Sequence, residues 1–151
     1  MIELQTSKRT NIPNSQENNE YSLLYQKQLG DLKVQYLGSK FKSGPSQLYN
    51  CHGMTFANRR TGIYENKVIS TILNDDSYIE VNSLSILPGD IVIYFSNDGD
   101  AEHSGIILQC PSGQEIAPIV LSKWGSSFEV IHSLYLCPYD LSNIKYYRCL
   151  L

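Results

Sequence analysis

Apolar residues recur at helix-like intervals in three stretches of the chain and then switch to strand-like runs. Tyr21, Leu24, Tyr25 and Leu29 predict a short amphipathic helix over residues 21–29, ended by Gly30. Met54, Phe56 and Ala57 predict a second helix over residues 51–60, broken by Gly62. Val68, Ile69, Ile72 and Leu73 predict a third over residues 65–73, stopped by Asn74, Asp75 and Asp76. From there the period becomes extended: residues 78–81, a Leu87-Pro88-Gly89-Asp90 turn, and the almost continuous apolar run Ile91, Val92, Ile93, Tyr94, Phe95. Asp98-Gly99 is a tight-hairpin signal, and residues 103–109 read as its return strand. Residues 111–113 read as a turn, 116–121 as a strand, and 143–150 as a closing strand carrying Tyr146 and Tyr147, whereas 124–132 fits neither period cleanly. Before the second helix, residues 33–37 read as extended and 38–46, with two glycines and Pro45, as a loop delivering the chain to Cys51. Residues 1–20 are rich in Asn, Ser, Gln and Glu and predict a flexible, loosely held tail that orders against a partner. Helices first and a meander of strands afterwards predict an α+β domain over residues 21–151, with N-terminal helices packed on an antiparallel β-sheet.

Composition narrows the function classes. A chain of 151 residues with 42% hydrophobic content suits one core without covalent staples. A net charge of −3 and the lack of a basic run argue against nucleic acid as the main partner. No apolar run approaches the roughly 20 residues of a membrane span, and the polar start lacks a signal-peptide core, so a soluble, cytoplasmic protein is expected by default. Cysteines at positions 51, 110, 137 and 149 form no CxxC pair; reduced thiols are expected rather than a zinc site or disulfides. Cys110 and Cys149 read as packing residues. Three scattered histidines offer no metal cluster, and no cofactor is expected.

Cys51 stands at a loop-to-helix junction after Asn50, a good helix cap. Unpaired N–H groups and the positive end of the helix dipole favour a thiolate there. His103 opens the strand after the hairpin, and alternation puts Gly105 on its face, leaving room for a close neighbour or a substrate backbone. An imidazole is suited to take the thiol proton and return it to a leaving group near neutral pH. His132 reads as structural and Lys123 as a solvated charge.

These residues also resemble a known family. YNCHGMTFA at residues 49–57 resembles the nucleophile motif of the NlpC/P60 and CHAP families of papain-like cysteine peptidases and amidases, where a DCSG-type sequence opens the helix. LPGDIVIYF at 87–95 resembles their PGD strand, and HSGIIL at 103–108 their histidine strand, usually HVGIY or HVAIV. The likeness covers residues 47–125 and extends to papain-like domains with CHG and SKWG segments, the latter at residues 122–125. It implies a papain-like catalytic domain with Cys51 as nucleophile, His103 as general base, and the Cys51 N–H in an oxyanion hole. Asn50 and His52 stand where NlpC/P60 members usually carry Asp and Ser; His52 either touches substrate or points away. For the third polar residue, which orients the histidine, Ser122 is nearest the expected place, with Glu115 and Glu129 as fallbacks. Trp124 either roofs the site or fills the core, and Gln47 and Tyr49 are candidates for an oxyanion or substrate contact.

The implied activity is amide hydrolysis of a peptide or peptidoglycan stem peptide, which also suits a secreted effector held in check by an inhibitor or immunity protein. A protein-directed protease or deamidase would use the same machinery. A catalytically inactive papain-like module that binds a protein partner is the alternative from another class.

Overall fold

Ser22 starts the first helix by accepting the Tyr25 N–H on its side chain, and α1 runs Leu23–Gln35. It is longer at its C-terminal end than the sequence predicts. Gly30 faces open space and costs the helix only about 1 kcal/mol relative to Ala. Tyr25, Leu29, Leu32 and Tyr36 continue one stripe past it into the core. Residues 33–35, expected as extended, are therefore the end of this helix.

The computed structural model describes residues 1–42 and 44–150. After α1 come β1 (Lys40–Phe41), α2 (Cys51–Phe56), α3 (Val68–Asp75), β2 (Tyr78–Val81), a 3-10 turn (Ser83–Ser85), β3 (Ile91–Phe95), β4 (Ala101–Gln109), β5 (Ile119–Lys123), β6 (Glu129–Ser133) and β7 (Asn143–Cys149). The strands form one sheet in the order β1-β6-β5-β4-β3-β7-β2, every pair antiparallel. The fold is α+β, with three helices and a seven-stranded antiparallel sheet.

The apolar run Ile91–Phe95 exists because β3 is covered on both faces. Val92 and Tyr94 join Ile107, Val120, Val130 and Tyr146 in a core closed by α1. Ile93 and Phe95 face a second core built from Ile63, Ile69, Ile72 and Ile12. Each fully buried side chain of this kind contributes about 1.5–3 kcal/mol.

Ile12 corrects one expectation. Residues 2–16 are not a free tail but fold over the second core. Gln5 bridges to Asn11 and Ser15 to Gly62, while the Thr6 and Thr10 hydroxyls each donate to the Asp75 carboxylate at 2.7 Å. The polar residues that signal disorder in sequence are here the bonding partners of the α3 C-terminus.

The Pro88-Gly89 turn before β3 is held by Asp90. Its carboxylate accepts the Leu87 N–H at 2.7 Å and two bonds from Arg148 at 2.8 Å. The Arg148 hydrogen bonds hold the Asp90 carboxyl below its ordinary value. Several boundaries differ from the sequence expectation: α3 and β5 each lie two to three residues later than expected, over 68–75 and 119–123, and β4 begins at Ala101 rather than His103. The α2 helix stops at Phe56 because Asn58 and Arg59 take positive φ, with the Ala57 and Arg59 N–H groups both closing on the Gly53 carbonyl. The ambiguous stretch 124–132 resolves into a turn and β6, and β1 is a two-residue strand too short to leave a periodic signal.

Candidate active site

Asn50 fixes the start of α2. Its Oδ1 accepts the N–H groups of Gly53 at 2.9 Å and Ile63 at 3.0 Å, and its Nδ2 donates to the Ile63 carbonyl at 2.7 Å. The cap therefore ties the 61–63 segment to the helix as well as satisfying an end N–H. Cys51 is the first residue of α2, and the N–H groups of Cys51 and His52 have no acceptor among the described residues.

The α2 helix lies across β4 and β5, and His103 sits near the start of β4. Tyr94 pairs with His103 but Phe95 with Ala101, so Glu102 is the extra residue of a bulge that re-aims the strand at this point. The His103 imidazole is stacked flat on Tyr139, with centroids 3.6 Å apart and planes 7° from parallel. Cys51 is 6% exposed and His103 is 0% exposed.

Burial by itself pushes the Cys51 thiol up, but the charges and side-chain contacts of His52 and His103 outweigh it, and its pKa lies well below the ordinary thiol value. Among the described residues, no contact to either ring nitrogen of His103 has hydrogen-bond geometry, so both nitrogens are buried and without a partner there. The thiol and this imidazole are thus close enough for their charges to couple without a formed hydrogen bond.

His52 is 1% exposed and faces β4. Its Nε2 donates to the Ala101 carbonyl at 2.7 Å, and its Nδ1 meets the Ser104 hydroxyl at 2.8 Å. With both nitrogens engaged by β4, the ring pins α2 to the sheet.

Ser122 makes no hydrogen bond to His103. It lies across from Gly105, accepts the Trp124 indole N–H at 3.1 Å, and pairs with His132 Nε2 at 2.7 Å. His132 Nδ1 donates to the Ser133 carbonyl at 2.8 Å, which makes Nε2 the acceptor and the Ser122 hydroxyl the donor. Trp124 is buried edge-on against Tyr36 and Phe41, so it fills the core rather than roofing the site.

Glu129 is committed elsewhere. It accepts Arg59 Nε at 2.6 Å and Nη2 at 3.0 Å, together with the Tyr49 hydroxyl. Burial raises the Tyr49 phenol to about 12, with the neighbouring carboxylate adding to the effect. Lys123, expected in solvent, is instead buried beneath this group, donating to the carbonyls of Ser46, Tyr49 and Gly125 at 2.6, 3.0 and 2.7 Å. Burial lowers its ammonium to about 8 while the charges of Cys51 and Glu129 oppose that shift. A cavity of about 200 Å³ opens beside this cluster, lined by Lys42, Gly44, Tyr49, Arg59 and Glu129. Gln47 accepts the Asn19 N–H at 2.9 Å, and Glu115 lies exposed in the 110–118 connection.

The sequence therefore brings Cys51, His52 and His103 into one buried cluster and leaves Ser122, Glu115, Glu129 and Gln47 bonded or placed away from the His103 ring. Sequence reasoning missed Tyr139, which follows Pro138 in a loop with no periodic pattern, and Ser104. A polar residue inside an otherwise apolar strand is the signal that could have found Ser104.

The buried His132 gives a pH prediction. Burial pulls it down to about 4, the Ser133 carbonyl opposes this, and the charge of His103 adds to it. A folded-state pKa below the unfolded value of about 6.5 means that neutral His132 stabilises the fold fully above that pH. This stability is lost as pH falls from about 6.5 toward 4, by roughly 3 kcal/mol in all. Urea unfolding at pH 7 and pH 4 measures the loss, and His132→Gln, which keeps a hydrogen-bonding side chain, is expected to flatten the dependence across that window.

Among the described residues, no helix is long and apolar enough to cross a membrane, and no three His, Cys, Asp or Glu side chains converge as a metal site. No family model, no curated protein and no solved structure matches this chain.

Proposed function

We propose that this protein is a papain-like, cysteine-dependent amide hydrolase. One arrangement carries the reading: a buried thiol stands first in a helix capped by Asn50, beside two buried imidazoles whose charges favour its thiolate, and one of those imidazoles has neither nitrogen bonded among the described residues. The unpartnered nitrogens of His103 support a role in moving a proton, because the fold commits them to nothing else.

In this mechanism the Cys51 thiolate attacks the carbonyl carbon of an amide, forming a C–S bond. The negative charge passes to the carbonyl oxygen, which the Cys51 N–H stabilises. His103, carrying the proton taken from the Cys51 thiol, delivers it to the departing amine as the C–N bond breaks. It then takes a proton from the water that attacks the thioester, releasing the acid and restoring the thiolate. The substrate class that fits the motif resemblance is a peptide or a peptidoglycan stem peptide; protein cleavage or glutamine deamidation would run on the same groups.

The test is digestion of purified peptidoglycan and a peptide panel, with mass analysis of the products, by wild type and Cys51→Ala. Products made by wild type and absent with the variant support the reading; identical product sets overturn it.

The closure of the pair favours a second reading, a non-catalytic module of the same shape that binds a protein partner. An amide-mimicking electrophile separates the two. A hydrolase is labelled at Cys51 in preference to its more exposed cysteines, whereas a binding module shows ordinary thiol reactivity, greatest at the exposed Cys149.

A further inference from the structure

We propose that His52 is a resident imidazolium whose fixed positive charge keeps Cys51 ionised, leaving His103 free to carry protons. This rests on the hydrolase reading and assigns the two histidines of that site different tasks.

The argument starts from the partners of the His52 ring. Nε2 faces a backbone carbonyl, that of Ala101, and a carbonyl only accepts, so this nitrogen carries hydrogen. Nδ1 faces the Ser104 hydroxyl, which has its own acceptor in Thr55 Oγ1 at 3.1 Å. When the Ser104 proton points to Thr55, the Ser104 oxygen is free to accept from Nδ1. Both ring nitrogens then donate, which is the imidazolium form. His103 is the opposite case, with no partner on either nitrogen and a tyrosine ring flat on its face. Of two imidazoles beside one sulfur, only His52 is held by partners on both nitrogens, and His103 is left free to take the thiol proton and give it up.

The surrounding charges agree with this assignment. Burial opposes a charge on His52, but the Cys51 thiolate, the Ala101 carbonyl and the Asn66 side chain act to retain the proton. Phe56, 6.4 Å away by centroid, shields the ring without competing for hydrogen bonds. Around the sulfur, Tyr64, Tyr139 and Lys123 all feel the negative charge of Cys51, and Lys123 is the further cation. In a simple cysteine–histidine pair, removing the histidine removes both the base and the charge that holds the thiolate. Here the two functions sit on different rings.

The test is a pH titration of the thiolate by its ultraviolet absorbance, with Cys51→Ala as the blank, in wild type, His52→Gln, His103→Gln and Ser104→Ala. His52→Gln is expected to raise the Cys51 midpoint by about one unit or more, a tenfold loss of thiolate at a pH below both midpoints. Ser104→Ala, which takes away only the Nδ1 acceptor, should move it the same way by less. His103→Gln should leave most of the low midpoint in place. The proposal is overturned if His52→Gln leaves the midpoint where it was, or if His103→Gln alone returns it to the ordinary thiol value of about 8.5. Nitrogen NMR of the wild-type His52 ring at pH 6 provides a readout without any variant: two protonated nitrogens support the proposal and one overturns it. Neither measurement uses a substrate, so an absence of hydrolysis would count against the hydrolase reading alone.

Discussion

Cys51→Ala is expected to abolish amide hydrolysis and electrophile labelling together, lowering kcat/KM by at least about a thousandfold. No other described side chain at the α2 tip supplies a nucleophile: Asn50 is locked in its cap and Thr55 belongs to the His52 hydroxyl chain. The loss should appear in kcat/KM without unfolding, because the side chain removed is small and the cap that shapes the helix start does not involve the sulfur. His103→Ala should cost on the order of a hundred- to ten-thousandfold, the usual worth of a positioned acid–base group. Steady-state kinetics on the substrate found in the digestion panel, with thermal unfolding as the control for folding, measures both. A Cys51→Ala variant with the same turnover as the wild type would put any chemistry elsewhere in the molecule.

The largest structural effect is expected from Gly53→Ala, two residues into the same helix. A Cβ there would fall on the Thr61 carbonyl oxygen, 3.0 Å from the Thr61 carbonyl carbon and 3.1 Å from the Tyr49 Cβ. The obstacle is backbone, and the backbone has little freedom to move. Gly62 is bridged to Ser15, and Ile63 bonds Asn50 on both sides of its peptide. A change of one methyl group is therefore expected to cost about 4 kcal/mol or more, at the severe end for single substitutions. Urea unfolding of Gly53→Ala reads the loss. Gly105→Ala provides the comparison: its Cβ would meet a movable Val120 methyl at 2.8 Å, but also the Leu121 carbonyl at 2.9 Å, and a smaller penalty of about 1–3 kcal/mol is expected.

The parts of the fold legible in sequence were those where burial and period coincide. Ile91–Phe95 and Tyr78–Val81 have the bounds their patterns predict, and β7 differs from expectation by one residue. Boundaries were lost where a tertiary circumstance outvoted a local signal. Gly30 does not end α1 because nothing crowds it and the next turn of the stripe is buried. Polar residues 2–16 are ordered because the end of α3 offers carboxylates to bond. At the site, the positions of Cys51 and His103 were readable because a capped helix start and a hairpin return each have a local signature. The expected contact from Ser122 to the His103 ring is not made, since it depends on which way a strand residue leans: Ser122 reaches along β5 and across to β6, to Trp124 and His132. Lys123 was misread for a similar reason. Two carbonyls from a loop remote in sequence, with the Gly125 carbonyl two residues on, make a buried ammonium tolerable, and no composition rule anticipates them.

The flat contact between Tyr139 and His103 has a kinetic corollary. With one face covered by the phenol ring and no surface open to solvent, the imidazole meets an incoming molecule only when a neighbouring side chain gives way. Labelling by a bulky reagent is then expected to saturate with concentration, the plateau reporting how often the site opens rather than how nucleophilic the sulfur is.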